Sequence, residues 1–319
     1  VVNAGNGANT PADRRTIANQ ILSLREQLLS VANRKDTNGL PLFNGLGSAL
    51  APFLGPQTPA PDYTFDGLPG QTASNDVSIP LTLDGDAAFM FRPQRDGVYH
   101  AAMSTIPNTR QFGTNAVITT DPSLVTGDNY TISFSAVGPG ATTGTSTATY
   151  TITNTTTGIP QPPVTVPDFP SDKPVTITVT GIPGLSVDFK GTPANGDTAT
   201  LKPSASIFSV VDTSIREISN AADSQGAAQA VGQALANIDR GLERLQTVRG
   251  NAGELLNRAD RITGNQEARS IQLEGDRSRA EDLDMIKGIS DFQNQQVGYE
   301  AALKSYSMVQ KLSLFNFIS

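Results

Sequence analysis

The chain contains no cysteine, no tryptophan and a single histidine, His100. Without Cys there is no disulfide, no thiolate nucleophile and no Cys-based metal site. That absence suits an extracellular protein made without a disulfide pathway, and it also suits many cytosolic ones. Charge is sparse: 23 basic and 30 acidic side chains in 319 residues, a formal net charge of −7. An acidic chain with no basic patch argues against nucleic-acid binding, which depends on Lys and Arg to neutralise phosphate. No apolar run reaches about 18 residues, so neither a transmembrane helix nor a membrane partner is expected. No signal-peptide pattern opens the chain. It begins Val1-Val2 rather than with Met, so further residues are expected upstream.

What is present is most telling at the end. From Glu281 to Ser319 the sequence is apolar at steps of three and four, rich in Gln and Asn, and nearly uncharged. Leu283, Ile286, Ile289, Phe292, Tyr299, Leu303, Tyr306, Val309, Leu312 and Phe315 predict an amphipathic helix. Its far side lacks the charge that would suit it to water. The candidate assembly interface is therefore Phe292, Tyr299, Leu303, Tyr306, Val309, Leu312, Leu314, Phe315, Phe317 and Ile318. With no second apolar partner in the chain, this helix would not offset its own ordering entropy, and it is expected to order on assembly.

Three compositional zones precede or include that end. Residues 1–45 and 204–274 read as one discontinuous helical rod, coiled-coil-like. Residues 46–203 read as an inserted antiparallel β domain, sandwich- or barrel-like, and 275–319 as the assembly helix. The fold class expected is α+β. In the first zone Thr10-Pro11-Ala12-Asp13 is a box-like helix start. Ile17, Ile21, Leu24, Leu28 and Val31 then form a heptad stripe, and the helix should run from about Pro11 to Arg34. In the middle zone Asp76–Leu83, Ala87–Arg92, Tyr130–Val137, Thr147–Thr153, Val175–Thr180 and Leu185–Lys190 read as strands. Asp84-Gly85, Gly127-Asp128, Pro183-Gly184 and Asn195-Gly196 read as turns. In the last zone Ile207, Val211, Ile215 and Ile218 mark a short helix. Val231, Leu235, Ile238, Leu242, Leu245 and Val248 mark a long one from about Gln225. Gly264, Gly275 and a high polar density between Thr263 and Asp282 suggest a hinge.

Candidate chemistry is thin. His100 near a strand end reads as packing or surface, since no motif places a Ser and an Asp beside it. The stretch Gly138 to Thr145 loosely mimics a phosphate loop but has no Lys after its last Gly, so a strand connection is the better reading. Asp84-Gly85-Asp86 lacks further ligands at EF-hand spacing and reads as a tight turn. Glu281, Asp282 and Asp284 read as acidic complements to a helix N-terminus. Asn154-Thr155-Thr156 fits a glycosylation pattern that matters only in a host able to use it. No catalytic, cofactor or metal residues are assigned, and no cofactor is expected.

Four segments resemble a known family. Ala32 to Gly39 followed by Leu42-Phe43-Asn44-Gly45, Phe189 to Thr198, Ile289 to Gln296, and Leu312 to Ile318 together resemble the flagellar hook-associated protein 3 (hook–filament junction) family of flagellin-like axial proteins. The C-terminal segment is the specific one. Asn3 to Gly7 resembles a loop between two helices of that family's helical domain, so the N-terminal part of the family pattern is missing. The resemblance implies a structural, non-enzymatic subunit, exported through the flagellar type III apparatus without a cleavable signal and located outside the cell on the flagellum. It implies as partners copies of itself in a ring, flagellin, the hook-side hook-associated protein, and an export chaperone at the C-terminal region. Flagellin itself remains an alternative, as does a carbohydrate-binding or adhesive β module on a helical stalk.

Overall fold

The computed structural model describes residues 1–58, 62–75, 77–104, 112–281 and 284–315. They form two compact units, Val1–Arg258 and Ala259–Ser319.

The first unit begins with a short 3-10 turn at Val2–Gly5 and the helix α1, Pro11–Ala32. Its start is the capping box expected from Thr10 and Asp13. The Asp13 amide donates to the Thr10 hydroxyl, and the Thr10 amide donates to the Asp13 carboxylate. Hydrogen bonds from Thr10, first its hydroxyl and then its amide, hold the Asp13 carboxyl below its usual range. The buried face of α1 differs from the expected heptad. Arg14, Ala18, Ile21, Arg25 and Ala32 point inward, while Leu24 and Val31 lie exposed. The helix is rotated because two of its three arginines, Arg14 and Arg25, have inward partners. Arg25 Nε donates to Asp212 at 2.9 Å, and Arg14 donates to the carbonyls of Asn9 and Ala221.

A two-stranded ribbon follows, β1 (Phe53–Leu54) with β2 (Thr64–Phe65), then two short helices, α2 (Gly85–Phe89) and α3 (Pro93–Asp96). Here two strand expectations fail. Ala87–Arg92 begins inside a helix, because the Asp84 side chain accepts the Ala87 amide and caps it. Residues 77–83 form no strand; Leu83 instead exchanges backbone bonds with Leu42 and Gly45.

The β zone contains β3 (Tyr99–Ser104), β4 (Phe112–Thr114), β5 (Ile118–Thr119), β6 (Tyr130–Pro139), β7 (Thr145–Asn154), β8 (Ile159–Pro160), β9 (Val164–Pro170), β10 (Val175–Ile182), β11 (Leu185–Gly191) and β12 (Thr198–Pro203). All pairings among these strands are antiparallel. One sheet runs β3-β12-β6-β7, with β8 and β9 both on β7. In the other, β10 flanks β11 on one side and β4 and β5 pair with it on the other. The turn at Pro183-Gly184 closes the β10–β11 hairpin; Gly184 sits at φ +68°, and a Cβ there would meet the Asp121 carbonyl at 2.2 Å. The inner faces share one core, in which Phe134 packs on Phe112 and Phe189 at centroid distances of 5.2 and 5.3 Å. The strands alternate buried and open residues, as in Tyr130, Ile132 and Phe134, because a pleated strand turns successive side chains to opposite faces.

The chain then returns to helix with α4 (Ile207–Asn220), capped by buried Ser206, and α5 (Ser224–Glu281). Helices α1 and α4 and the early part of α5 share apolar contacts through Ile21, Ile218 and Val231. A second cluster joins Phe208 to Phe53, Tyr63, Phe89 and Val248. Gly241 permits α5 to approach α4 closely, since a Cβ would lie 2.4 Å from the tip of Ile207. Tyr63 donates to Asp212 at 2.5 Å, and burial, then this bond, raises its phenol pKa.

The second unit holds the end of α5 and the helix α6, Met285–Phe315. Contrary to the hinge expectation, α5 is continuous through Gly264 and Gly275. Surface ion pairs at three- and four-residue spacing, Arg277 with Glu274 and Glu281 and Arg279 with Asp276, support its last turns.

Candidate assembly interface

Helix α6 starts where the Asp284 carboxylate accepts the Lys287 amide at 3.2 Å. Asp284 thus serves as the acidic helix-start residue that the sequence suggested, and Glu281 pairs with Arg277. Asp282 and Leu283 lie outside the described residues. Along α6 the expected interface side chains are open to solvent. Phe292, Tyr299, Tyr306 and Val309 are about two-thirds exposed, and Leu303 is 51% exposed. At 100° per residue, Phe292, Tyr299, Leu303, Tyr306 and Val309 cluster on one side of the helix. Ile286, Val297 and Met308 carry apolar surface to the other side and are exposed as well. Leu312, Leu314 and Phe315 end the helix, with side chains outside the described set; Phe317 and Ile318 lie outside the described residues. Local polar bonds do little to cover the helix. Gln310 donates to the Tyr306 hydroxyl, and Ser307 to the Lys304 carbonyl. Large apolar side chains are thus exposed on both sides of α6.

In the first unit, by contrast, most buried polar side-chain atoms have partners, Arg14 Nε and Asn44 Oδ1 being exceptions. His100 on β3 meets Glu217 on α4 at 2.5 Å. A cleft of about 440 Å³ is lined by Met103, Ser104, Glu217, Asp223 and Gln229 among others. Both of its carboxylates are engaged, Glu217 with His100 and Asp223 with the Gly226 amide at 2.7 Å. Asp86 is buried and receives Arg92 and Arg95, and Asp96 receives Arg95 and Arg244. No group of three His, Cys, Asp or Glu suited to a metal occurs among the described residues. None of their helices is long and apolar enough to cross a membrane. The stretch from Gly138 to Thr145 holds the end of β6, the start of β7 and the hairpin loop 140–144 between them, closed by the Gly140 amide donating to the Thr145 carbonyl. Asn154 accepts the amides of Thr156 and Thr157 and donates to Asp128.

Sequence reasoning missed one arrangement. Strand β3 is the edge of its sheet, and α5 closes that edge with side-chain amides. Gln233 accepts the Ala101 amide at 2.9 Å and donates to the Ala101 carbonyl. Asn237 donates to the Tyr99 carbonyl, and Gln229 donates to Thr114 Oγ1 on β4. The signal was present as polar residues at steps of four, 229, 233 and 237, inside an otherwise apolar helix face.

The architecture is that of solved flagellar proteins. The flagellar junction protein FlgL from Legionella pneumophila matches with a TM-score of 0.59 and 24% identity over 81% of this chain and 84% of that one. A flagellar hook-associated protein-3 from the same organism matches at 0.61 and 23% identity over 87% and 85%. FlgL from Xanthomonas campestris matches at 0.61 and 21% identity over 87% and 86%. No family model matches the chain, and no curated protein sequence matches it. At these identities the likeness establishes the α+β fold, with antiparallel sheets inserted between helical segments.

Proposed function

We propose that this chain is a structural subunit of the bacterial flagellum that joins a hook-associated ring to the flagellin filament, rather than an enzyme. The observation that carries the proposal is α6, a helix whose large apolar side chains stand in water. Burying one such side chain contributes roughly 1.5–3 kcal/mol, so a few docked residues among Phe292, Tyr299, Leu303 and Tyr306 hold a subunit in place. The fold shared with flagellar junction proteins supports the same reading. In it, segment 275–319 is the assembly element, segments 1–45 and 204–274 its helical support, and segment 46–203 the outward module. Its partners are copies of itself, flagellin and the hook-side hook-associated protein. An export chaperone covers the C-terminal region before type III export to the cell exterior.

The test is the position of the protein on the flagellum. An epitope placed in the β6–β7 loop between Gly140 and Gly144, where Gly144 has open space around it, leaves the sheet pairing intact. Immunogold labelling of isolated flagella is expected to give one band at the hook–filament boundary. Label along the whole filament would assign the chain as flagellin. Absence of label from flagella would overturn the axial reading and favour a glycan-binding module.

A further inference from the structure

Four Asn-Gly pairs occur in the chain: Asn6-Gly7, Asn38-Gly39, Asn44-Gly45 and Asn195-Gly196. Such pairs are open to uncatalysed deamidation because the glycine nitrogen has no neighbouring side chain to shield it. The reaction needs that nitrogen free. Three of the four are held. The Gly39 amide donates to the Asp36 carbonyl at 3.1 Å, the Gly45 amide to Leu83 at 2.9 Å, and the Gly196 amide to Phe134 at 2.9 Å. Asn44 is in addition buried and donates to the Gly47 carbonyl. The Gly7 amide has no acceptor among the described residues, and both Asn6 and Gly7 are exposed.

From this contrast we propose that Asn6 is the site of spontaneous succinimide chemistry in the folded protein. The Gly7 nitrogen attacks Asn6 Cγ, forming an N–Cγ bond. The Cγ–Nδ2 bond breaks, and ammonia departs carrying the proton lost from Gly7. Water then opens the five-membered imide. Addition at the main-chain carbonyl gives isoaspartate; addition at Cγ gives aspartate. The Ala8 amide donates to Asn6 Oδ1 at 3.1 Å, where negative charge develops during attack. Conversion adds one negative charge to the loop that leads into α1. The isoaspartyl product also lengthens the main chain between the 3-10 turn and Asn9, the residue whose carbonyl receives buried Arg14.

The experiment is incubation of the full folded chain at mildly alkaline pH beside a sample in urea, followed by peptide mapping with isoaspartate detection. In urea all four pairs should convert at comparable rates. In the folded protein Asn6 should keep its denatured rate, while Asn38, Asn44 and Asn195 should slow at least about fivefold, the factor set by one net hydrogen bond. Gly7→Ala should slow conversion at Asn6 without moving the urea midpoint, since its Cβ would meet only Ser224 Cβ at 4.0 Å. Conversion of Asn38 or Asn195 at or above the Asn6 rate in the folded protein would overturn the assignment. So would slowing of Asn6 as strong as theirs.

Discussion

The early part of α5 and the whole of α6 carry apolar side chains at the same steps of three and four, yet they meet opposite fates. In α5 the residues Ala227, Ala230, Val231, Ala234 and Val248 are buried. In α6 Ile286, Phe292, Tyr299 and Tyr306 stand in solvent. The difference lies in what accompanies the stripe. The inner face of α5 is lined with small residues, including Gly241, so other elements can approach it, and its polar interlopers find main-chain partners. The face of α6 carries large rings, and the rest of the helix offers few charges to water. Periodicity fixes where a stripe lies on a helix; side-chain size and neighbouring charge decide whether the chain itself can cover it.

The strongest way to break this comparison is to charge the α6 face. Phe292→Asp combined with Tyr299→Asp should abolish incorporation into flagella while leaving the urea midpoint of the free protein unchanged. A drop in that midpoint would show that these rings already stabilise the monomer. The converse test is Phe208→Ala, deep in the cluster with Phe53, Tyr63 and Phe89. It should cost about 3–5 kcal/mol by equilibrium unfolding. Gln233→Leu strands the Ala101 amide and carbonyl, a loss of about 1–3 kcal/mol for each group left without a partner. Faster hydrogen exchange at Ala101 should accompany it. Ser206→Ala removes the buried cap of α4 and should cost about 1 kcal/mol. The smallest effect is on pH dependence. Burial and Asp212 raise the Tyr63 pKa above its ordinary 10.0. Its contribution is therefore complete below that pH and is lost as pH climbs through the folded value, so Tyr63→Phe should flatten the alkaline decline of the urea midpoint.

Much of the fold was legible where the deciding contacts are local. The Thr10–Asp13 box, the short helix at Ile207 and the strands of the β6–β7 and β10–β11 hairpins each announce themselves within a few residues. The failures are non-local. Leu24 and Val31 look like core, but Arg14 and Arg25 take the inner face because Ala221 and Asp212 wait there, 207 and 187 positions away in sequence. Strand β3 carries weak alternation and is fixed by β12 and the α5 amides. Gly264 and Gly275 invited a hinge, since each costs a helix about 1 kcal/mol relative to Ala, but neighbouring helix formers and ion pairs carry α5 through. The helix of α6 and its apolar positions from Phe292 to Val309 were legible from spacing alone, but their exposure was not, since it depends on what the rest of the chain can bring against them.

The amide grip on β3 has a consequence for how the molecule is put together. Gln233 and Asn237 hold the main chain of the strand and ignore its side chains. Side chains enter this socket at two points, the Thr114 hydroxyl that receives Gln229 and Gln233, and His100 beside Glu217. The sheets beyond β3 can therefore be recut or lengthened at little cost to the joint, provided a bare strand edge and a hydroxyl acceptor stay at the same height along α5.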